Sequence, residues 1–560
     1  MHPSNNECTP RHPLTSDSFS RSYYLVPNPT TNSIKGFDLI VLGLQESTYG
    51  TSWFSKSCVS ELLDNIADVL GSSWVQVQHA KRAQMQMVMY CRKSVRGRIT
   101  RTEIAVENTG FLHVLPNKGG ILVTCYVDGT SLAFISTHLA AHEGVKKCAV
   151  RNESTQEILG GVRAGDMTLD PSVQFHHTFL MGDMNYRVTF DPAVPDRAFT
   201  DRMGAEEAAV EKLKSIKSMK EELEEEYEDT DERRDQLVKL YHIIETEDWE
   251  RMLAMDELNR EIKAGRILKG FTALQPDFPP TFKRKRVNVI QQKLIGQTLV
   301  CGKKSYDVFS SENANATAGT TTDMFYDKKR LPSYTDRILH CSMPGFTTHL
   351  KNTHFTSCEK CTSSDHKPVK AHFEVETVED LKDLKVTSSK RGVQIQIFNL
   401  KGGNLAEMDT MAFGGGSDPY IVVSTDPKEV LVQENLRSKT ILHDLNPVWD
   451  DEMVVTLVSP DLDGLAKRTH LLLNVWDADV ISQDDLIGTL SISLDDIKKA
   501  CTVNGAISQE AQYTFSGPLL ANGLVQGELS GAITMSVPKF DESLCVSYST
   551  TTHANCCTIS

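Results

Sequence analysis

Residues 131–154 read SLAFISTHLAAHEGVKKCAVRNES. The first six form an almost unbroken apolar run, the pattern of a strand buried on both faces. The run breaks at Thr137 and His138 and continues into Ala140, Ala141 and His142, so polar chemistry follows directly on a core strand. The same construction occurs on either side. Phe37–Leu44 (FDLIVLGL) runs into Gln45 and Glu46, and Thr178–Met181 (TFLM) runs into Gly182-Asp183-Met184-Asn185-Tyr186-Arg187. Helix-like segments such as Val59–Val69 lie between the runs, and buried strands interleaved with helices predict an α/β core. A fourth polar group, Ser364-Asp365-His366-Lys367-Pro368-Val369, closes the same region.

The 560 residues are 40% apolar and 24% charged, the composition of a folded chain of two to four domains. With 59 Lys and Arg against 74 Asp and Glu the net charge is −15. That balance argues against non-specific nucleic-acid binding, which rests on clustered cations. Any polyphosphate site has to be a local basic patch on an acidic body. Met1–Asn6 is polar and lacks the apolar stretch of a secretory signal, and no apolar run reaches the ~18 residues of a membrane span. The 13 cysteines are scattered and odd in number, which fits reduced thiols of a cytoplasmic protein. Cys358 and Cys361 make one C-x-x-C pair with no second pair, so they read as loop cysteines rather than zinc ligands.

Residues 1–20, rich in Ser, Pro, Asn and Thr, read as disordered. The catalytic region is placed at 21–378. Inside it, residues 205–264 are highly charged and predict helix, with a solvated face along 220–235 (KEELEEEYEDTDERRD). Residues 287–322, containing SSENANATAGTTT, predict a surface insertion. A polar linker at 379–390 marks a change of grammar. Beyond it Val393, Ile395 and Ile397 alternate with polar residues, as do Leu471, Leu473 and Val475, with turn-rich stretches such as FGGGSDP between. Alternation of period two predicts half-buried antiparallel strands and a β-sandwich over 391–538; residues 539–560 are a tail.

The polar groups at the strand ends suit metal-assisted phosphoester hydrolysis. A hard Mg²⁺ ion takes oxygen ligands and keeps several waters, and Glu46 supplies a carboxylate for it. Water needs a base or an orienting acceptor, a role for Asp183. Charge on the phosphoryl oxygens needs donors, and His138, Asn185 and His366 carry them, with Asp365 biasing His366 towards its charged form. Each piece alone reads equally as a turn, a cap or a core histidine; their joint occurrence in order carries the functional reading.

Four blocks together resemble the inositol polyphosphate 5-phosphatases of the endonuclease/exonuclease/phosphatase superfamily: STHLAAHEGVKKCAVRNES (136–154), GDMNYR (182–187), LPSYTDRIL (331–339) and SSDHKPV (363–369). The resemblance spans about Tyr24 to Glu376 and implies a two-sheet α/β sandwich. It implies Glu46 as Mg²⁺ ligand, His138 on the scissile phosphate, Asp183 activating water with Asn185 positioning it, and His366 oriented by Asp365, with Asp336 close by. It also implies substrate contacts from Lys283, Lys329 and Arg330 to a ring phosphate, and from His142, Tyr186, Arg187 and Arg337. Two departures stand out. Phe282 occupies a position that is Tyr in the family, and no GTWN-like first strand precedes Phe37; Ser22–Asn28 is the nearest candidate, with Asn28 as stand-in.

The second region resembles a C2 domain. Asp409 and Asp418, with Asp477, Asp479 and Asp485 in WDADVISQDD, match a Ca²⁺-binding pattern of carboxylates converging from two loops. The chain ends Cys557-Thr558-Ile559-Ser560, a C-a-a-X pattern that predicts prenylation of Cys557. The expectation is a phosphatase that removes the 5-phosphate from phosphoinositide lipids and soluble inositol polyphosphates, bound peripherally to an anionic cytoplasmic membrane surface through the C2 domain and a prenyl tail. Two alternatives stay open: a calcium-dependent membrane adaptor with an inactive phosphatase domain, and a related nuclease or phosphodiesterase. Oligomeric state has no signal in the sequence.

Overall fold

The runs SLAFIS and TFLM become inner strands of one sheet, and FDLIVLGL forms an edge strand, among the described residues, of the sheet facing it. The computed structural model describes residues 36–47, 59–109, 118–190, 230–285, 298–301, 304–307, 325–359, 361, 364–380, 385–387, 392–408, 416–433, 436–479, 483–538 and 545–547. In the first sheet β1 (Leu39–Leu44), β2 (Trp74–Arg82) and β3 (Met85–Arg92) run antiparallel in the order β1-β3-β2. The second holds β4 (Ile99–Asn108), β5 (Gly119–Val127), β6 (Thr130–His138), β7 (His177–Asp183), β8 (Thr272–Ala273) and β9 (Asp336–Ser342), in the order β4-β5-β6-β7-β9-β8. A hairpin of β10 (Leu350–Ser357) and β11 (Val369–Val375) follows.

Met85, Met87 and Met89 from the first sheet meet Ile121, Val123, Phe134 and Phe179 from the second, and Leu350 and Phe373 of the hairpin close the same core. Outer faces are covered by helices. α1 (Val59–Leu70) sets Ile66 against Val88 and Tyr90. α2 (Val145–Gly161), the crossover between the parallel pair β6 and β7, sets Ile158 and Leu159 against Leu122, Ile135 and Leu180. Each such buried aliphatic side chain contributes roughly 1.5–3 kcal/mol. The result is the two-sheet α/β sandwich. Along β1 every residue is only half-buried, and among the described residues it pairs with β3 alone. The stretch proposed as a first strand, Ser22–Asn28, lies outside the described residues.

Of the stretch expected to be solvated, 220–229 lies outside the described residues and 231–235 is mostly exposed, while the helix that continues from it buries a face. α3 (Asp231–Thr246) is capped by Thr230 Oγ1, which accepts from Arg233 N at 3.2 Å, and it buries Leu237, Leu240, Ile243 and Ile244 on one face. That face packs on Val188, Phe278 and Tyr334, so tertiary burial rather than charge places it. Of the insertion, a short hairpin, Thr298–Cys301 with Lys304–Asp307, is described.

The second domain is an all-β sandwich of nine antiparallel strands. These are β12 (Gln394–Gly403), β13 (Pro419–Asp426), β14 (Leu436–Arg437), β15 (Val448–Trp449), β16 (Met453–Thr456), β17 (His470–Asp477), β18 (Asp485–Ser493), β19 (Tyr513–Ala521) and β20 (Leu524–Ser536). The alternating residues Val393, Ile395, Ile397, Leu471, Leu473 and Val475 all enter its core, around Trp449. The stretch read as linker carries a strand that the sequence reading missed: Lys385–Thr387 pairs with Cys545–Ser547. Among the described residues no helix is long and apolar enough to cross a membrane.

Candidate active site

Register decides what meets at the open end of the second sheet. His138, the last residue of β6, is the parallel partner of Asp183, the last residue of β7. Asp336, the first residue of the antiparallel β9, faces Asp183 from the other side. Three distant segments thereby set three polar side chains in a row. Glu46 arrives from the other sheet. A Cβ on Gly43 would lie 2.7 Å from Ser136 Oγ, so glycine lets β1 approach β6 closely and brings the residues after β1 over the row. His138 Nε2 is 4.0 Å from Glu46 Oε1 and 3.5 Å from Asp183 Oδ2.

The turn after β7 holds the acceptor in place. Asn185 N donates to Asp183 Oδ1 (3.1 Å), and Asn185 Nδ2 donates to Asp183 Oδ2 (3.1 Å) and Leu139 O (3.0 Å). Glu46 and Asn185 adopt positive φ, 53° and 56°, a left-handed conformation that side chains other than glycine enter at a cost and that clusters at functional sites.

His366 completes the row. Its Nε2 is 4.0 Å from Asp183 Oδ2, and its Nδ1 lies 3.0 Å from Asp336 Oδ2. Asp336 Oδ2 also accepts from Thr281 Oγ1 (2.7 Å) and Thr335 Oγ1 (3.0 Å), which fix the carboxylate. The orienting carboxylate is thus Asp336 and not the adjacent Asp365, whose Oδ2 lies 3.9 Å from Lys283 Nζ instead. Asp365 still adds to the negative field that favours the charged ring, while the hydrogen bond that orients it comes from Asp336.

The charges are strongly coupled. Burial works against a cation at His366, but Asp336 and Asp183 raise its pKa to about 9. Burial likewise opposes charge on Asp183, yet His366, His138 and Lys118 hold it well below the usual carboxylate range. His138 is depressed by burial and by Lys118, so it is neutral at pH 7 and its Nε2 accepts from Lys118 Nζ at 2.5 Å. Replacing Asp336 by Asn should drop the His366 titration from about 9 to near or below the ordinary 6.5, because burial then dominates; ring NMR shifts followed between pH 5 and 10 check this.

Several expected substrate contacts are turned inward. Tyr186 is fully buried, and its hydroxyl donates to Asn152 Oδ1 at 2.8 Å, so it does not reach a ring in the site. Arg187 is buried too; its Nε donates to Asn185 O (2.9 Å), its Nη2 to Asn185 Oδ1, and its guanidinium lies 4.4 Å over the Phe282 ring. It positions Asn185. Arg337 is fully buried against Asp256 (2.8 Å) and is a structural ion pair. Tyr186 and Arg187 are buried in the turn that follows β7, and Arg337 is buried at the start of β9. His142 sits at the start of the loop after β6 with φ 77°, and its carbonyl accepts from Arg151 (2.8 Å). Of the cations expected to contact a ring phosphate, Lys283 is half-buried with its Nζ 3.9 Å from Asp365, Arg330 is half-buried, and Lys329 is exposed on the Asp327 turn. Lys118 was missed by the sequence reading; it carried no signal beyond being a lysine ahead of an apolar strand.

In the C2 domain Asp477 is the antiparallel partner of both Pro419 and Asp485, so Asp418, Asp477 and Asp485 gather at one end of the sandwich. Asp418 N donates to Asp477 Oδ1 (2.5 Å), and Asp418 Oδ1 accepts from His443 N (2.7 Å). Asp484, also not singled out by sequence, accepts from Asp479 N (3.1 Å) and from the Tyr420 hydroxyl (2.5 Å). Burial, Asp479 and Asp484 push the Asp485 carboxyl upward, the sign of crowded negative charge. Asp409 and Cys557 lie outside the described residues.

Comparison with known proteins agrees with this layout. Residues 14–233 and 314–372 match the Endonuclease/Exonuclease/phosphatase family 2, and residues 393–508 match the C2 domain. Phosphatidylinositol 3,4,5-trisphosphate 5-phosphatase 2A of Danio rerio is 22% identical over 448 residues, 79% of this chain and 29% of that protein. Phosphatidylinositol 3,4,5-trisphosphate 5-phosphatase 1 of Mus musculus is 26% identical over 340 residues, 60% of this chain and 22% of that protein. The chain thus spans less than a third of the length of these curated relatives. Among solved structures, the inositol polyphosphate 5-phosphatase domain of SPsynaptojanin, bound to inositol (1,4)-bisphosphate and calcium, aligns over 64% of this chain and 82% of its own at 20% identity, with a TM-score of 0.39.

Proposed function

Since the catalytic part of this chain belongs to the endonuclease/exonuclease/phosphatase family 2 and the part after it is a C2 domain, we propose that it hydrolyses the 5-phosphate of phosphatidylinositol polyphosphates, and of soluble inositol polyphosphates, on the cytoplasmic face of an anionic membrane. The observation that carries the reading is the single row of Glu46, His138, Asp183, Asn185, Asp336 and His366 at one sheet end. The curated relatives carry phosphatidylinositol 3,4,5-trisphosphate 5-phosphatase names, which supports this choice of substrate class.

Glu46 offers a half-exposed carboxylate at the mouth of the site, with the Asp183 and Asp336 carboxylates beyond it, and oxygen donors of this kind fit Mg²⁺. When bound, the ion supplies positive charge for the phosphoryl oxygens and the leaving group. The chain's own residues do the rest. Asp183 is held so firmly anionic that it acts as a fixed acceptor aligning a water proton, more than as a strong base. Asn185 locks that carboxylate through two donated bonds. Protonated His366 presents a cation where negative charge grows on the phosphoryl group, and Asp336 keeps its Nε2 facing Asp183. Neutral His138 and Lys118 face the same space, and Lys283, Lys329 and Arg330 are the cations proposed for the ring phosphates.

The direct test is phosphate release from vesicles containing phosphatidylinositol 3,4,5-trisphosphate, with and without Mg²⁺, the product being identified by its remaining ring phosphates. No release, or release from another ring position, would sink the reading. The C2 aspartates are proposed to hold Ca²⁺ and so turn a negative loop end into one that anionic lipid attracts. Asp477→Asn combined with Asp479→Asn should abolish calcium-dependent sedimentation with phosphatidylserine vesicles; sedimentation equal to wild type would remove calcium from the account.

A further inference from the structure

The end of the second sheet opposite the active site is covered by the C2 domain. Leu169, Val173 and Met343 share one apolar cluster with Leu472. Polar bonds frame it: Asn522 N donates to Asp170 Oδ2 (2.7 Å), Ser491 Oγ to Val173 O (3.2 Å), and Lys428 pairs with Asp166 (2.8 Å). At its centre lie His176, just before β7, and two C2 residues that are cross-strand partners, Asp426 and His470. One nitrogen or carboxylate oxygen of each lies within 4.8 Å of the other two. His176 Nε2, His470 Nδ1 and Asp426 Oδ2 are all buried with no protein partner.

The outer hydrogen bonds fix what each atom is. His470 Nε2 lies 2.7 Å from the Pro344 carbonyl oxygen, so that nitrogen carries the hydrogen and Nδ1 keeps a lone pair. His176 Nδ1 accepts from the Ser131 backbone N–H at 3.0 Å, so the neutral ring carries its hydrogen on Nε2. With Asp426 ionised, above about pH 7, the trio offers one donor and two acceptors, and below that the Asp426 carboxyl carries a hydrogen as well. A divalent metal needs a lone pair from each residue and would find an N–H on His176, so these residues do not suit one. They suit a proton. The ring of His176 is 1% exposed and stacked on Phe346 at 4.1 Å. Protonating it would place an N–H on Nδ1 against the N–H of Ser131, and it would bury a charge beside His177, His349 and His470.

We propose that this junction is an acid-released latch: the C2 domain docks on the neutral ring of His176, and protonation of that ring expels the ring and undocks the domain.

The sign follows from the protons held by each state. Burial, then His470 and His177, depress His176 below its ordinary 6.5 while docked, although the Arg468 carbonyl opposes this. A depressed group supports docking above its free value and withdraws that support as pH falls below about 6.5. Its neighbours nearly cancel. Burial and Glu429 raise Asp426 to about 7 against Arg101 and Lys428, and burial lowers His470 to about 4. Docked, this pair holds one proton from about 4 to about 7. Free, with ordinary values, it holds one from about 3.9 to 6.5. Tyr126, facing Asp426 from β5, is pushed up by burial and stays neutral throughout. His177, lowered to about 3 by burial, His349 and His340, is neutral over the same range. The net response is proton uptake by His176 on release, so docking weakens as pH falls through the acid side of the imidazole range.

The test is small-angle scattering of the full chain between pH 7.5 and 5, on wild type and His176→Gln. Glutamine accepts from Ser131 and donates towards Asp426 without titrating. Wild type should expand as pH falls, while H176Q should keep one radius. A wild type that stays compact at pH 5, or an H176Q that expands with it, overturns the proposal. If H176Q does not fold, ring nitrogen shifts of wild-type His176 decide: hydrogen on Nε2 at pH 7.5 supports the latch, whereas hydrogen on Nδ1, or stoichiometric zinc in the purified chain, refutes it. None of these readouts depends on the proposed hydrolysis.

Discussion

Asp183→Asn should lower kcat for phosphate release by about 10³-fold while leaving KM within about threefold, in the range found when a water-orienting acid–base group is lost. The substitution changes almost no volume, so the pairing of β7 with β6 and β9 survives. What disappears is the negative charge. The carboxylate accepts from Asn185 N and Asn185 Nδ2, and it faces both His138 and His366. An amide in its place presents an N–H on one side, breaks one of the Asn185 bonds and cannot align a water proton. It also removes one of the three carboxylates, Asp336, Asp183 and Asp365, that keep His366 protonated, so the donor loses part of its charge at neutral pH. Lys283, Lys329 and Arg330, the cations proposed for the ring phosphates, belong to other loops, and for that reason substrate affinity should hold. A change confined to KM would show that Asp183 binds substrate and does not act on water.

Arg337→Ala should destabilise the catalytic domain by about 3–5 kcal/mol, the cost of leaving a buried charge without its partner. Arg337 and Asp256 are both 0% exposed and 2.8 Å apart. Asp256 also caps the helix Glu257–Lys263, its Oδ1 accepting from Asn259 N at 3.0 Å, and Arg337 Nη2 donates to Asn259 Oδ1 at 3.2 Å. Removing the guanidinium leaves the carboxylate anionic in the core with one backbone bond. The double variant Arg337→Met with Asp256→Leu should recover most of the loss, because two apolar side chains fill the space without desolvated charge, and only the cap, worth about 1 kcal/mol, stays lost. Urea midpoints of the three proteins measure this. Equal midpoints for Arg337→Ala and wild type would show that the pair contributes nothing.

The layers of both domains were legible because burial writes a simple code. FDLIVLGL, SLAFIS and TFLM are apolar without alternation and lie between layers, while Val393, Ile395 and Ile397 alternate and face one core. The strand-end residues of the site were legible for the same reason: a core strand has to stop being apolar where it reaches the mouth of a pocket. Less legible was the direction of side chains beyond the strand ends. Tyr186, Arg187 and Arg337 look like ring-phosphate ligands by type, but local backbone geometry turns them inward. Asp365 sits beside His366 in the chain, yet the carboxylate on the ring comes from Asp336, thirty positions earlier, through strand pairing. Lys118 had no motif to announce it. The contact of His176 with Asp426 and His470 joins two domains and has no local signature at all.

β7 and β9 have a consequence for how the two ends of this molecule communicate. Each is seven residues long, and they pair along their whole length, one end holding Asp183 and Asp336 and the other His177 and Ser342. Seven residues span roughly 20 Å, a distance at which a proton gained beside the C2 domain acts on the charges of the candidate active site by under about 1 kcal/mol. What passes between the two ends beyond that travels mechanically, as a slide or tilt of two strands that move as one bar.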